Sequence, residues 1–149
     1  MTAVSFRPAQ AADVAAVVAL LADDILGRGR EGTDLAPYLA AFEAMQAEAA
    51  NQLIVGTIGP DIIACYQITF ISGLSLTAAR RAQIEGVRVA PDLRGQGIGA
   101  DLIADAENRA RAAGCTLLQF TTNKARLEAH RFYDRLGFTA SHIGYKKSL

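Results

Sequence analysis

A glycine-rich turn at the start of a helix is the part of this sequence best suited to chemistry. Gly95, Gly97 and Gly99 occupy alternate positions directly after Arg94. Glycine lets the backbone approach a ligand closely, and the unpaired N–H groups of a first helical turn, with the helix dipole, attract anions. The segment from Arg94 to Ala100 therefore predicts a loop that binds a diphosphate.

The same glycines also fit a dinucleotide-binding pattern, Gly-x-Gly-x-x-Gly/Ala, through Gly95, Gly97 and Ala100. That pattern requires a loop directly after its strand and an acidic residue about 20 positions later. Here Pro91 intervenes before the loop, and the next predicted strand ends at Asn123 instead of an acidic residue. A nucleotide-dependent oxidoreductase is therefore the less favoured enzyme class.

Two motifs of this chain resemble the GNAT superfamily of acyl-CoA-dependent N-acyltransferases. The family signature, Arg/Gln-x-x-Gly-x-Gly/Ala after a Val-x-Val-like strand, is similar to Val87–Gly99 (VRVAPDLRGQGIG). The segment Arg131–Phe138 (RFYDRLGF) resembles the family's closing Phe-Tyr-x-x-x-Gly-Phe segment, and Asn123 matches between the two. The likeness covers Glu85–Phe138, whereas the N-terminal part agrees only in its order of elements.

The resemblance implies that acetyl-CoA is the acetyl donor and indicates which residues contact it. Arg94 and Gly95 would shape the loop, and Asn123 would meet the pantetheine arm through its amide, unless it caps the last helix instead. The strand residues would pair with that arm by backbone, as an added strand does. The remaining implied contacts are Val87, Arg88 and Val89 for the pantetheine and Gln96, Gly97, Ile98, Gly99 and Ala100 for the diphosphate.

The resemblance also implies direct transfer to an amine, with Tyr133 and Glu85 as the catalytic side chains. Tyr133 would protonate the departing thiolate, because a phenol can serve as a general acid; packing on the apolar helix stripe is its alternative role. Glu85 would take the proton of the amine, directly or through water, but it needs burial and a bulge that turns it away from Val87. Gly86 suits such a bulge, which would free an N–H for the thioester oxygen.

Other reactive side chains do not form a recognisable site. Cys65 and Cys115 each lie in an apolar run without metal-ligand spacing, so they are interpreted as buried reduced thiols, and no metal is expected. His130 and His142 match no catalytic position of the family and are interpreted as non-catalytic. A non-catalytic acyl-CoA sensor remains the alternative function, disfavoured by Tyr133.

Hydrophobic periodicity predicts the elements that must position these residues, in the order β-α-α-β-β-β-α-β-α-β. The fold class is therefore α/β (α+β type): a GNAT-like mixed, mostly antiparallel sheet flanked by helices. Gly59-Pro60-Asp61 predicts a hairpin turn, and Gly114 and Gly137 predict helix ends. The predicted strands lie at 4–7, 52–58, 62–71, 83–89, 115–122 and 138–147, and the predicted helices at 10–25, 35–50, 98–113 and 129–136.

Length and composition predict one domain over residues 1–149, with 51% hydrophobic residues and a formal net charge of zero. A neutral chain offers no overall field for nucleic acid or an anionic membrane, so neither partner is expected. No leader-like or membrane-spanning stretch is visible, and we expect a cytoplasmic protein. The expected acceptor is a small-molecule amine or a protein amine, and the resemblance makes a homodimer an expectation.

Overall fold

The structure is a computed structural model and describes residues 3–23 and 29–149. The predicted end of the first helix at Ile25 lies outside these residues. The chain divides into two compact units, residues 1–119 and residues 120–149, and each is described by itself.

The first unit is a five-stranded sheet with helices on its faces. A 3₁₀ turn (Ala11–Asp13) leads into the first helix, and a single helical turn (Ser75–Ala78) with positive φ at Leu76 and Thr77 joins two strands. The strands and longer helices are β1 (Ser5–Pro8), α1 (Val14–Ala22), α2 (Ala36–Ala47), β2 (Asn51–Ile58), β3 (Asp61–Ile71), β4 (Arg81–Val89), α3 (Ile98–Ala112) and β5 (Leu117–Gln119).

The sheet follows chain order, β1-β2-β3-β4-β5, with three antiparallel pairings and one parallel pairing. Gly59, with φ of 57°, and Pro60 form the two-residue turn between β2 and β3, since Ile58 pairs with Asp61. The parallel pairing of β4 with β5 joins Arg81–Gln83 to Leu117–Gln119. The remainder of β4, from Ile84 to Val89, therefore has no partner on β5.

Both faces of the sheet are covered by apolar side chains. On one face, α1 and α2 pack over the strands in a cluster of Ala9, Val14, Val17, Leu20, Phe42, Val55 and Cys65. On the other face, next to α3, the fully buried side chains include Ile54, Tyr66, Ile68, Ile84, Leu102 and Ile103. The periodicity that predicted α3 is confirmed, and Gly114 ends this helix with φ of 80°.

The second unit is built around one helix, α4 (Leu127–Arg135), which ends before Gly137 at φ of 89°. Phe120, Phe132, Tyr133 and Phe138 form an aromatic cluster beside it. Ring centroids lie 4.1 Å apart for Phe120 and Tyr133 and 4.9 Å apart for Phe120 and Phe138. The apolar side of the last helix, which the sequence predicted, packs in this cluster.

The predicted fold class, a mixed and mostly antiparallel sheet flanked by helices, is confirmed. One predicted element, the final strand at 138–147, is wrong, because the structure assigns no strand anywhere in 138–149. Ile143 and Tyr145 are 81% and 91% exposed. The apolar residues of this alternating segment therefore do not pack on a buried surface, which is what usually stabilises a strand. The strand predicted at 115–122 is shorter in the structure and covers Leu117–Gln119, because only these residues pair with β4.

Candidate active site

A bulge in β4 is the central feature of the site in the first unit. Cys65 pairs with Arg88 and Gln67 pairs with Glu85, so two steps along β3 oppose three along β4. Gly86 supplies the irregularity with φ of 60°, a backbone conformation that favours glycine. The bulge predicted at Gly86 is therefore confirmed.

The bulge changes which side chains share a face of the sheet. Because Cys65 and Gln67 are two residues apart, their partners Arg88 and Glu85 both lie on the α1 and α2 side. Glu85 is thus turned away from the face that strict alternation gives it, as catalysis by this residue requires. The Glu85 side chain is exposed, however, so it lacks the burial that the sequence analysis required for a general base.

Arg88 is the buried cation of this strand, with 9% of its surface exposed. Its guanidinium donates a hydrogen bond to the Val87 carbonyl at 2.9 Å. The Arg88 charge also acts on the nearby Cys65 thiol, but burial of that thiol dominates and raises the pKa of Cys65 to about 12. The Arg88 side chain is therefore buried on the α1 side of the sheet, and its backbone is part of β4.

The glycine-rich segment forms a loop between a short 3₁₀ turn and α3. β4 ends at Val89, Pro91–Leu93 make the 3₁₀ turn, and Gly97 precedes α3 with φ of 84°. A Cβ added at Gly95 or Gly97 would meet no atom within 4 Å, so this backbone borders open space. At this end the Asp101 N–H donates to the Gly97 carbonyl at 3.1 Å, and the N–H groups before it can donate to the oxygens of an anion.

Arg94 holds this loop in place from its exposed position. Its Nε donates to the Val89 carbonyl at 3.1 Å, and a terminal nitrogen donates to the Asp23 carbonyl at 3.4 Å. Asp23 is the C-cap residue of α1, where a cation meets the negative end of the helix dipole. Arg94 therefore ties the loop to the end of β4 and to the end of α1.

A partly buried polar network anchors α3, and the sequence did not reveal it. The Tyr66 hydroxyl donates to Asp105 at 2.5 Å, and Asp105 also accepts from Arg109 at 2.8 Å. Arg109 in turn donates to the Phe6 carbonyl at 3.2 Å, so the network joins β3, α3 and β1. The spacing of Asp105 and Arg109 was the available signal, but nothing local reveals that Tyr66 lies opposite them.

In the second unit, Asn123 organises the turn before α4. Its side-chain oxygen accepts from the Ala125 N–H at 2.9 Å, and its carbonyl accepts from Arg126 and from the His130 ring. The alternative reading of Asn123 as the helix N-cap is wrong, because the N-cap is Arg126. Its amide is instead used for an Asx-type turn three residues earlier.

Tyr133 lies in the aromatic cluster of the second unit and is half-buried. Its ring contacts Phe120, Phe132 and Phe138, with centroids 4.1, 5.1 and 5.9 Å away. The packing role is thus real, and these contacts fix the orientation of the Tyr133 ring. A residue held in this way can both pack and donate a proton.

The remaining candidates behave as structural groups. Cys65 and Cys115 are buried free thiols, and His142 contacts Ser141 at 2.6 Å. Among residues 3–23 and 29–149, no group of three or more His, Cys, Asp or Glu side chains could hold a metal. No helix in that same part of the chain is long and apolar enough to cross a membrane.

The structure thus places the predicted residues in two groups. Glu85–Val89 and Arg94–Ala100 lie on one continuous strand, turn and helix of the first unit. Asn123 and Tyr133 lie in the second unit, on the turn before α4 and on α4 itself. A bulged strand thus leads directly into a glycine-rich helix start, so two irregular stretches of backbone lie on one segment.

Comparison with known proteins shows the family. Residues 19–138 match the family model described as the acetyltransferase (GNAT) family. Aminoalkylphosphonate N-acetyltransferase of Salmonella typhimurium is 46% identical over 67 residues, which are 45% of this chain. Those residues are 44% of that relative, so the match spans less than half of its length.

Solved structures share the fold over nearly the whole chain. A transcriptional regulator from Bacillus halodurans is 43% identical with a TM-score of 0.94, covering 99% of this chain and 100% of that one. A predicted acetyltransferase from Clostridium acetobutylicum, solved with acetyl-CoA, is 19% identical with a TM-score of 0.74, covering 97% and 96%. The second likeness supports the fold alone. Together with the family match over most of its length, these findings show that the chain belongs to the GNAT family of acetyltransferases.

Proposed function

We propose that this protein transfers the acetyl group of acetyl-CoA to a primary amine by direct attack. The observation that carries the proposal is the Gly86 bulge, followed by the glycine-rich start of α3 on the same continuous segment. Family membership supports acetyl transfer, and acetyl-CoA is the donor that acetyltransferases of this family use. Gln96–Ala100 would hold the diphosphate by backbone N–H groups, and Val87–Val89 would pair with the pantetheine arm.

The chemistry needs one bond made and one bond broken. The amine nitrogen attacks the thioester carbon, a C–N bond forms, and the C–S bond breaks to release the thiolate of CoA. A β4 N–H freed by the bulge would stabilise the oxyanion in between. Tyr133 would give its proton to the thiolate, and Glu85 would take the proton from the amine through water, as its exposure allows.

A covalent acetyl-enzyme at Cys65 is disfavoured by the environment of its thiol. Only a thiolate is a good nucleophile, and burial raises the pKa of Cys65 to about 12. At neutral pH this thiol therefore stays protonated. Direct transfer requires no such group.

For the acceptor, we propose an aminoalkylphosphonate as the first class to test. The support is the activity for which the Salmonella relative is named, and that relative is 46% identical over the 67 matched residues. A small amine without phosphonate and the amine of a protein are the competing acceptors. Acetylation assays with 2-aminoethylphosphonate, β-alanine and propylamine test this preference. The three are primary amines of similar length that end in a phosphonate, a carboxylate and a methyl group.

The test of catalysis is CoA release measured with a thiol reagent, in the wild type and in Tyr133→Phe. We expect kcat to fall by about 10²-fold or more in Tyr133→Phe, since general-acid catalysis contributes about 10²–10⁴-fold. The ring contacts remain in phenylalanine, so the variant should still fold, and its unfolding midpoint verifies this. Tyr145→Phe is the matched control, because Tyr145 is 91% exposed. Equal kcat in all three proteins would refute the role of Tyr133.

A second candidate function is a regulator that binds acyl-CoA without turnover. One observation favours it: the Bacillus halodurans structure that is 43% identical is described as a transcriptional regulator. Acetyl-CoA binding combined with no CoA release for any of the amines would select this function. Turnover with one of them selects the transferase.

A further inference from the structure

Two buried side chains hold successive backbone carbonyls at the bulge of β4. The Cys65 thiol donates to the Gly86 carbonyl at 3.5 Å, and the Arg88 guanidinium donates to the Val87 carbonyl at 2.9 Å. Cys65 and Arg88 pair with each other across the two strands and are only 1% and 9% exposed. Side chains on the α1 side of the sheet therefore bind two successive peptides of the bulge.

The bulge itself creates the need for these donors. Within the described part of the chain, Gly86 and Val87 have no register partner on β3, so their carbonyls are left out of that pairing. A buried carbonyl without a hydrogen bond destabilises the fold. Burial raises the pKa of Cys65 to about 12, so its thiol keeps the proton that it donates. A valine at position 65 or 88 would pack in this core but could not donate.

The bound carbonyls fix the direction of the N–H groups that follow them. A trans peptide is planar, so its C=O and its N–H point in opposite directions, and the peptides of this bulge are trans. The Gly86 carbonyl and the Val87 N–H belong to one such peptide. Because the Cys65 thiol binds that carbonyl, the Val87 N–H points away from the thiol. Val87 also lies in the part of β4 that has no partner on β5.

We propose that Cys65 and Arg88 are positioning residues for acetyl transfer, which orient the Val87 N–H toward the thioester oxygen. The inference rests on the proposed function, since the oxyanion belongs to that reaction. Neither side chain touches the acetyl donor or the amine, because each acts through the backbone carbonyl that it holds. An N–H group that is already oriented stabilises the developing negative charge without a cost of reorganisation.

Arg88 also places a buried positive charge at the bulge. This charge acts on the Cys65 thiol, which in turn binds the Gly86 carbonyl. In a site shielded from water, a cation near the developing oxyanion stabilises it. A hydrogen bond from a guanidinium is stronger than one between neutral groups, whereas a thiol is a weak donor. We therefore expect a larger effect from substitutions at Arg88 than from those at Cys65.

The first measurement is kcat, from CoA release, in two pairs of variants. Arg88→Met and Cys65→Ala remove the donors, whereas Arg88→Lys and Cys65→Ser keep a donor of another kind. Loss of a whole oxyanion donor lowers kcat by about 10²–10³-fold, so a misdirected donor should cost less. We expect kcat to fall by about 10- to 100-fold in Arg88→Met and by about 3- to 10-fold in Cys65→Ala, with partial recovery in the conservative variants.

The second measurement reports the hydrogen bond without turnover. Infrared spectra of acetyl-CoA labelled with a heavy isotope at the acetyl carbonyl give the stretching frequency of the bound thioester. A hydrogen bond from the Val87 N–H should lower this frequency in the wild type relative to free acetyl-CoA. The shift should shrink in Arg88→Met and in Cys65→Ala. The Kd of CoA, which has no thioester oxygen, should stay within about twofold of the wild-type value.

Arg80→Met and Cys115→Ala are the matched controls. Arg80 is a partly buried arginine that also donates to a backbone carbonyl, that of Ala113, at 3.0 Å. Cys115 is the other buried free thiol of the first unit. Both controls should keep the wild-type kcat and the infrared shift, even where they lower the unfolding midpoint. All assays are run well below the lowest midpoint of the set.

The outcomes separate this inference from the proposed function. If acetyl-CoA does not bind to the wild type, the proposed function fails, and the inference fails with it. If acetyl-CoA binds but the carbonyl frequency is the same in the wild type, Arg88→Met and Cys65→Ala, the positioning role is overturned and the transferase proposal stands. An equal fall of kcat in Arg88→Met and Arg80→Met would overturn it as well. Should Arg88→Met fail to fold, Arg88→Lys and Cys65→Ala decide the result by the same two measurements.

Discussion

Asp13 is the residue on which the entry into α1 depends. It is 8% exposed and accepts hydrogen bonds from both terminal nitrogens of Arg7, at 2.7 and 3.1 Å, and from the Gln10 N–H at 2.7 Å. The Arg7 hydrogen bonds lower the pKa of Asp13 below its usual value. One carboxylate thus joins β1 to the start of the first helix.

We expect Asp13→Asn to lower the free energy of unfolding by about 1–2 kcal/mol at pH 7, because hydrogen bonds to the charged form are lost. A lowered pKa means that Asp13 stabilises the fold above the unfolded value of about 4, and that this stabilisation is lost as the pH falls through the folded pKa. Urea denaturation at pH 7 and pH 3 should therefore show a difference that shrinks in acid. Glu43→Gln, on the exposed side of α2, is the control and should show a small effect at both pH values.

At the scale of elements, the bulge of β4 is the feature that activity should depend on most. Gly86 has φ of 60°, and an added Cβ would lie 3.4 Å from Leu21 Cδ2. We expect Gly86→Ala to cost about 1–2 kcal/mol of stability through the left-handed backbone. A strand that straightens to relieve this strain would withdraw the oxyanion donor, and kcat should fall about a hundredfold.

Gly32→Ala is the matched control for Gly86→Ala. Gly32 does not have positive φ, and the nearest atom to an added Cβ is 4.0 Å away. The free energy of unfolding of Gly32→Ala should stay within about 0.5 kcal/mol of the wild-type value. A Gly86→Ala enzyme with full kcat would show that the bulge is not needed for transfer.

The attachment of α3 to the sheet gives a second prediction at this scale. Tyr66 is fully buried and reaches Asp105, and burial raises the pKa of its hydroxyl, so it stays a donor. We expect Tyr66→Phe to lower the free energy of unfolding by about 1–3 kcal/mol, since it leaves Asp105 with one fewer partner in a partly buried site. Denaturant titration measures this loss, with exposed Tyr145→Phe again as the control. A loss equal to that of the control would mean that the hydrogen bond adds nothing to stability.

For the whole molecule, ligand binding should be visible as added stability. Acetyl-CoA at a hundred times its Kd should add about 2.7 kcal/mol to the free energy of unfolding. For a chain of 149 residues this corresponds to a rise of about 5–10 °C in the unfolding midpoint. Thermal unfolding with acetyl-CoA, CoA and NADH tests the donor directly. A rise of the midpoint with NADH alone would favour a nucleotide-dependent oxidoreductase, the enzyme class that the sequence made less favoured.

Local sequence determined much of this protein because several of its features are local. The glycines of the loop, the helical spacing of Ile98, Leu102 and Ala106, and the turn at Gly59-Pro60 each need only neighbouring residues to take their conformations. The two family motifs are also continuous segments, so the family could be predicted from them. Even the bulge was indicated, because a glycine inside a strand marks such a distortion.

Tertiary structure alone decided the features that join distant segments. The pairing of Cys65 with Arg88 settles the face on which Glu85 lies, and no local pattern contains that register. The Tyr66–Asp105 contact spans 39 residues, and the segment 138–147 shows that alternation without a paired, half-buried neighbour does not make a strand. Sequence by itself determined the loop, the helices and the family, since these depend on neighbours along the chain. Exposure, register and buried polar partners depend on neighbours in space, and only the folded chain brings those together.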